Sequence, residues 1–229
     1  MSPDRTLKFR RAAGICGFLG ALTFFAGDML FYGYFGRGAD FAAKLHEVPL
    51  RASLARLFTG GLIGPVAACL CIIGFWHVYL NVRAPRGRSG KLMFGAFVAL
   101  MVSGSAVHTL WVAKGLALKY CTGESGPCSD LLVAIKAYWA LAYQIGAIPG
   151  YFGALLLIVI VLLRRTWYPR WTVLANPAVL MLCAPLATRV PAPLGSILVG
   201  GFTNLTIATF FLVSILSTWR GPQGKPSDV

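Results

Sequence analysis

The chain has 229 residues, 57% of them hydrophobic and only 12% charged, with a formal net charge of +14 and a mean hydropathy of +0.71. That leaves too little polar surface to clothe a soluble domain of this length. The apolar residues fall in blocks of about 20 or more, enough to cross a hydrocarbon core of about 30 Å as helix, and the ten-residue alternation of a membrane β-barrel is absent. The expected fold is therefore all-α: a polytopic transmembrane helical bundle forming one integral membrane domain over residues 1–229.

Six spans are expected, at about residues 12–34, 54–80, 92–116, 131–163, 172–188 and 194–218. The opening LKFRR precedes an apolar run too long for a signal-peptide core and without a small-x-small cleavage site, so the first span is expected to insert and stay. It carries Gly17, Ala21, Phe24 and Asp28 on one face. The segment GRGADFAAKLHEVP follows, with Phe41, Leu45 and Val48 at near-helical spacing. It reads as a short amphipathic helix on the outer interface, and Pro49 suits the first turn of the next helix.

Span two has a GxxxG step at Gly60 and Gly64, and span four another at Gly146 and Gly150. Small residues so spaced let helix backbones approach closely, and such faces are also compatible with a homo-oligomer. Pro65 and Pro149 lie inside spans and are expected to kink them. The fifth span is short and contains Pro177 and Pro185. Residues 219–229 read as a disordered cytoplasmic tail.

Orientation follows from Lys and Arg. One side collects Arg5, Lys8, Arg10, Arg11, Arg83, Arg86, Arg88, Lys91, Arg164, Arg165, Arg170, Arg220 and Lys225, mostly in short loops. The positive-inside bias makes that side, and both termini, cytoplasmic. Trp76, Tyr79, Trp167, Tyr168, Trp171 and Trp219 fall on the same side, as an aromatic belt would. The basic charge is thereby accounted for. No basic, aromatic-interleaved module points to nucleic acid, and the expected partners are membrane lipids with anionic headgroups.

Of six cysteines, Cys16, Cys69, Cys71 and Cys183 lie in spans and read as small apolar residues. Cys121 and Cys128 flank an outer loop, YCTGESGPCS, and read as a disulfide staple rather than a CxxC redox pair or a metal site.

One of the seven acids, Asp28, falls inside a span. Charged groups at that depth are costly and normally face the bundle interior or a cavity with a partner. Arg56, His108, Lys114 and Gln144 lie at similar depth, Arg189 ends span five, and His46 and Glu47 sit just above. Gly104, Ser105, His108 and Trp111 share one face of span three. The polar groups thus gather in the outer half while the inner half reads as nearly pure hydrocarbon. This implies a cavity opening outward over an apolar floor, with Glu47, Arg51, Lys114 and Arg189 at its mouth.

Two readings of Asp28 stand side by side: a structural ion pair with Arg56 or His108, or the polar edge of a pocket. His108 divides likewise between a hydrogen-bonded core histidine and a ligand-binding group. Lys114 reads as a snorkelling residue at the outer boundary, His77 as an interface residue, and Asn176 and Asn204 as helix-capping or helix-bridging groups. No haem, metal or other cofactor is expected: His77 and His108 should lie near opposite faces, and the spans offer one acid and too few imidazoles.

At GDMLFYG, RLFTGGLIGPVA and GSAVHTLW the chain resembles small six-span bacterial membrane proteins grouped only as domains of unknown function. The resemblance covers most of the length. It implies a six-helix fold in a bacterial cytoplasmic (inner) membrane and no particular activity. Small sterol-binding and isomerase membrane proteins also place acids and a tryptophan in an apolar pocket, but this chain lacks their paired buried carboxylates, so that activity is not carried across.

The leading functional reading is a binding protein that holds a small amphipathic or lipophilic molecule in an outward-facing intramembrane pocket. Asp28, His108, Arg56 and Gln144 would supply polar contacts, Trp111, Tyr138 and Trp139 the aromatic walls, and Glu47 and Arg189 the rim. Two alternatives stay open. One is a proton-coupled transporter or channel subunit with Asp28 carrying the proton. The other is a membrane enzyme acting on a lipid or isoprenoid, with Asp28 and His108 as base and acid.

Overall fold

The computed structural model describes residues 3–44, 52–82, 87–121, 126–163 and 166–220. Its elements are α1 (Pro3–Tyr32), α2 (Gly38–Lys44), α3 (Leu54–Asn81), α4 (Arg88–Tyr120), α5 (Pro127–Leu163), a 3-10 turn (Arg170–Ala175), α6 (Pro177–Met181), α7 (Ala184–Ala187) and α8 (Gly195–Thr218). There is no strand among the described residues. Five helices (α1, α3, α4, α5 and α8) are long and apolar enough to cross a membrane, which makes the protein a multi-pass membrane protein.

The expected fifth span is not one helix. Pro169, Pro177, Pro185, Pro191 and Pro193 punctuate residues 166–194. Each proline lacks an N–H and crowds the carbonyl four residues back. α3 and α5 each tolerate one such residue, Pro65 and Pro149, but five so closely spaced keep the helical pieces short. Pro177 accordingly opens α6, where Asn176 caps the first turn by accepting from Ala178 N at 2.9 Å. Apolarity alone suggested a span; the proline spacing leaves room for only one or two turns at a time.

The broken segment nevertheless travels the length of the bundle. At its start Trp167 N donates to Asn81 O (3.0 Å) at the end of α3. At its finish Val190 O accepts from Gly38 N (3.2 Å), and Ser196 N donates to Gly36 O (3.0 Å), just past the end of α1. We call the first of these ends lower and the second upper. The sequence reading assigns the upper end to the outer side.

Packing follows the small residues. Gly17 of α1 and Gly74 of α3 face each other so closely that a methyl on either would overlap the other's Cα. On α5, Gly146, Gly150 and Gly153 lie against Ser103, Leu100 and Phe97 of α4. In a membrane, contacts of this kind hold helices together, because lipid chains are as apolar as the side chains and supply no hydrophobic drive. α1 packs along α3 and α8, α3 along α4, and α4 along α5. α5 also meets the 3-10 turn and α6 at its lower part, where Asn176 Nδ2 donates to Ala154 O at 3.0 Å. It has no comparable packing against α1 or α8, so a wedge is left between α5 and those two helices.

Two apolar clusters flank the wedge. The larger holds Phe75, Met93, Phe97, Ile160 and Phe211; the upper one holds Phe31, Tyr32, Phe41, Leu57 and Trp111. The expected interfacial helix is described only as α2. Its Phe41 is 1% exposed and packs on Tyr32 and Tyr34, with ring centroids 5.5 and 5.8 Å away. α2 therefore lies against the start of α8 rather than alone. Leu45, His46, Glu47, Val48, Pro49 and Arg51 lie outside the described residues, as does the tail from residue 221.

Candidate functional site

The wedge encloses a cavity of about 500 Å³, within the range of about 300–1,000 Å³ typical of small-molecule sites. Its wall on α5 runs from Trp139 to Ala154, a rise of about 22 Å at 1.5 Å per residue. Phe75, Phe97 and Ala154 form its lower part, while Tyr32, Phe41, Trp111 and Trp139 form its upper part.

Polar groups on this wall converge from three helices. Asn204 Nδ2 on α8 donates to Asp28 Oδ2 on α1 at 2.6 Å. His108 Nε2 on α4 lies 3.5 Å from Asp28 Oδ1. The other imidazole nitrogen, Nδ1, faces Gly60 O of α3 at 3.5 Å. The glycines make this possible: a methyl on Gly27, Gly60 or Gly64 would press on His108 or on its neighbour Phe31. Tyr32, one turn beyond Asp28, donates its hydroxyl to Gly200 O at 2.8 Å. Asp28 and His108 are 6% and 5% exposed, so this cluster is tightly framed by protein.

The wall residues that do reach the surface mark the opening. Tyr143, Gln144 and Tyr151 on α5 and Thr203 on α8 are exposed, and all lie well inside their helices. The upper-end residues Phe41, Trp111 and Tyr32 are buried. The sequence placed the mouth at the outer end; among the described residues the opening is instead lateral, along the α5–α8 seam. The physical reason is aromatic: Tyr32, Phe41 and Trp111 interlock at the top, with Tyr32 5.5 Å from Phe41 and 5.3 Å from Trp111.

The other expected site residues divide. Trp111, Trp139 and Gln144 line the cavity. Tyr138 is 62% exposed and is not part of the wall. Arg189 is exposed near the upper end, away from the cavity, and Glu47 lies outside the described residues. Arg56 is occupied elsewhere. It donates to Met29 O (2.8 Å), Leu30 O (3.1 Å) and Gly33 O (3.3 Å), so its charge caps the C-terminus of α1, where a cation suits both the free carbonyls and the helix dipole.

Lys114 corrects a second expectation. It is completely buried, with its ammonium 4.2 Å from the Trp111 ring and 4.0 Å from that of Trp139, rather than snorkelling at the boundary. Trp139 Nε1 is buried without a hydrogen-bond partner. Sequence reasoning missed Tyr32, Tyr143, Tyr151 and Thr203 as wall residues and left Asn204 as a generic bridge. The i, i+4 spacing of Asp28 and Tyr32 was the available signal for Tyr32; nothing local marked the residues on α5.

The lower end holds a polar network that the sequence reading took for hydrocarbon. His77 is 2% exposed, not an interface residue. Its Nδ1 lies 2.8 Å from Arg10 O and its Nε2 3.0 Å from Ser214 Oγ. A nitrogen facing a carbonyl must donate, so Nδ1 carries the proton and Nε2 accepts. Asn81 Nδ2 donates to the same Nε2 at 2.9 Å, and Tyr168 Oη lies 2.7 Å from Ser214 Oγ. The Arg10 guanidinium stacks on Trp167 at 3.2 Å.

Cys121 and Cys128 stand at disulfide distance, with Cα atoms 5.2 Å apart, joining the end of α4 to the start of α5. Residues 7–220, from the second turn of α1 to just past the end of α8, match a family of unknown function, DUF6796. The chain belongs to that family. No curated protein and no solved structure matches it. The DUF6796 match takes in both polar clusters and every residue named above as lining the cavity.

Proposed function

We propose that the protein binds a small amphipathic or lipophilic molecule in an intramembrane pocket entered from the side, through the α5–α8 seam. The observation that carries this reading is a cavity of about 500 Å³ whose exposed wall residues lie at mid-helix while its upper end is covered by aromatics. Among the described residues the exposed part of the wall is the seam, which a molecule dissolved in the bilayer meets directly. Asp28, His108 and Asn204 supply the polar contact, and Phe24, Trp111 and Trp139 the apolar wall.

The surrounding topology follows the sequence reading: a bacterial inner membrane, both termini cytoplasmic, six crossings of which the fifth is the broken segment, and Cys121–Cys128 bonded on the outer side. The basic lower end faces anionic headgroups.

Retention of a lipophile tests the pocket. In native mass spectrometry of protein released from lipid discs, the wild type should carry a small apolar adduct, and Thr203→Trp, which fills the seam, should lose it with no change in helicity. A wild-type protein that binds no amphiphile more than empty discs do would end the reading.

A further inference from the structure

The polar trio also suggests what kind of head group the pocket takes. His108 Nδ1 faces Gly60 O. A deprotonated nitrogen there would oppose lone pair to lone pair, so Nδ1 carries a proton. Nε2 then faces Asp28 Oδ1 at 3.5 Å, an approach that a proton between them would turn into a hydrogen bond. With that proton the pair is neutral and holds one proton more than a free carboxylate beside a neutral imidazole.

The groups facing this pair are few. From α1 there is Tyr32, whose hydroxyl donates to Gly200 O at 2.8 Å and also lies within hydrogen-bonding reach of Asp28. From α8 there is Asn204, donating to Oδ2. Tyr143 on α5 lines the same cavity. Arg56 of α3 is turned to the carbonyls at the end of α1, and Lys114 of α4 does not line the cavity. Asp28 is thus the acidic group of the wall among the described residues, and no fixed cation lines the wall beside it.

The aromatic surface points the same way. The electron-rich faces of aromatic rings attract cations, and Phe24 and Tyr32, one turn either side of Asp28 on α1, line the cavity beside it. The Lys114 ammonium takes the faces of Trp111 and Trp139 at 4.2 and 4.0 Å, so those two rings are left out of the cation's site.

We propose that Asp28 holds either a proton or the head of a lipophilic organic cation, so that binding the cation releases the proton to water. The exchange balances in charge and atoms: the neutral Asp28–His108 pair plus one ammonium gives a carboxylate–ammonium pair, neutral His108 and one H⁺. The inference rests on the pocket reading above. The rival ligand is a neutral alcohol, which could meet both Asp28 and the unpartnered Trp139 Nε1.

The test uses the full chain in discs of zwitterionic lipid, with empty discs as the blank, in lightly buffered solution near neutral pH containing a pH indicator. Decyltrimethylammonium is the probe, because a permanent cation brings no proton of its own; decanol and decanoate are its neutral and anionic counterparts. The cation should saturate and release about one proton per site. Decanol and decanoate should release none, and Asp28→Asn should weaken cation binding by about tenfold or more and abolish the release. Saturable cation binding without proton release overturns the exchange. Decanol binding as well as the cation, or unchanged cation binding in a folded Asp28→Asn, overturns the head-group assignment but leaves the pocket standing. If none of the three amphiphiles saturates, the pocket reading itself fails. The proton count is made on the wild type, so a misfolded variant cannot shield the proposal.

Discussion

The two ends of this bundle solve the problem of buried polar groups differently. At the lower end, His77 is bonded through both ring nitrogens and shares its acceptor nitrogen between Ser214 and Asn81. At the upper end, His108 makes one long contact to a carbonyl and one to a carboxylate, both at 3.5 Å, beside a cavity. The first cluster joins α1, α3, α8 and the chain at Tyr168 into a knot; in the second, His108 is held only by long contacts. Residue type is thus a poor guide to role. How closely the imidazole is bonded, and whether a cavity lies beside it, distinguishes the two histidines.

That contrast can be broken at either end. The largest effect on stability should come from His77→Leu, which strands Arg10 O, Ser214 and Asn81 in a dry interior; a loss of about 3 kcal/mol is expected from several unmet buried groups, read as a fall in unfolding midpoint in detergent. Gly64→Ala should cost about 1–3 kcal/mol, because its methyl meets His108 Cβ, and it should also lower amphiphile binding. Asp28→Asn should reverse the His77 pattern, changing stability by no more than about 1 kcal/mol while ligand retention is lost.

Tyr168→Phe removes one hydroxyl from the lower network, worth about 1 kcal/mol. It should be read as a small fall in the unfolding midpoint in detergent, well below that of His77→Leu. The smallest effect should come from Tyr138→Ala and Arg189→Ala, which should leave binding unchanged; a loss of binding in either would move the mouth back to the outer end.

Much of the helical fold could be read from the sequence because span length and glycine spacing are local properties. Gly60 and Gly64, Gly146 and Gly150 all lie at close helix contacts, as their spacing implied. The broken pass was half visible: the prolines were plain, but apolarity outweighed them. Asp28, His108, Trp111, Trp139 and Gln144, singled out from depth and helical phase, all line the cavity. Lys114, Arg56 and His77 were misplaced for one shared reason. Depth along a span predicts whether a polar group needs a partner, but not which aromatic ring or free carbonyl on another helix provides it.

The broken pass bears on how the chain is assembled. A helix that satisfies its own peptide groups can enter a bilayer alone and find its neighbours afterwards. Residues 166–194 cannot do so as one helix, since peptide groups at both ends of the segment bond to other elements: Trp167 N to Asn81 O on α3 and Val190 O to Gly38 N on α2. The Asn176 side chain likewise needs Ala154 O on α5, and all three partners leave the ribosome earlier. The segment is therefore a late arrival that must be chaperoned into place by helices already in the membrane, and an error in placing α5 would be felt first as a failure to insert the chain that follows it.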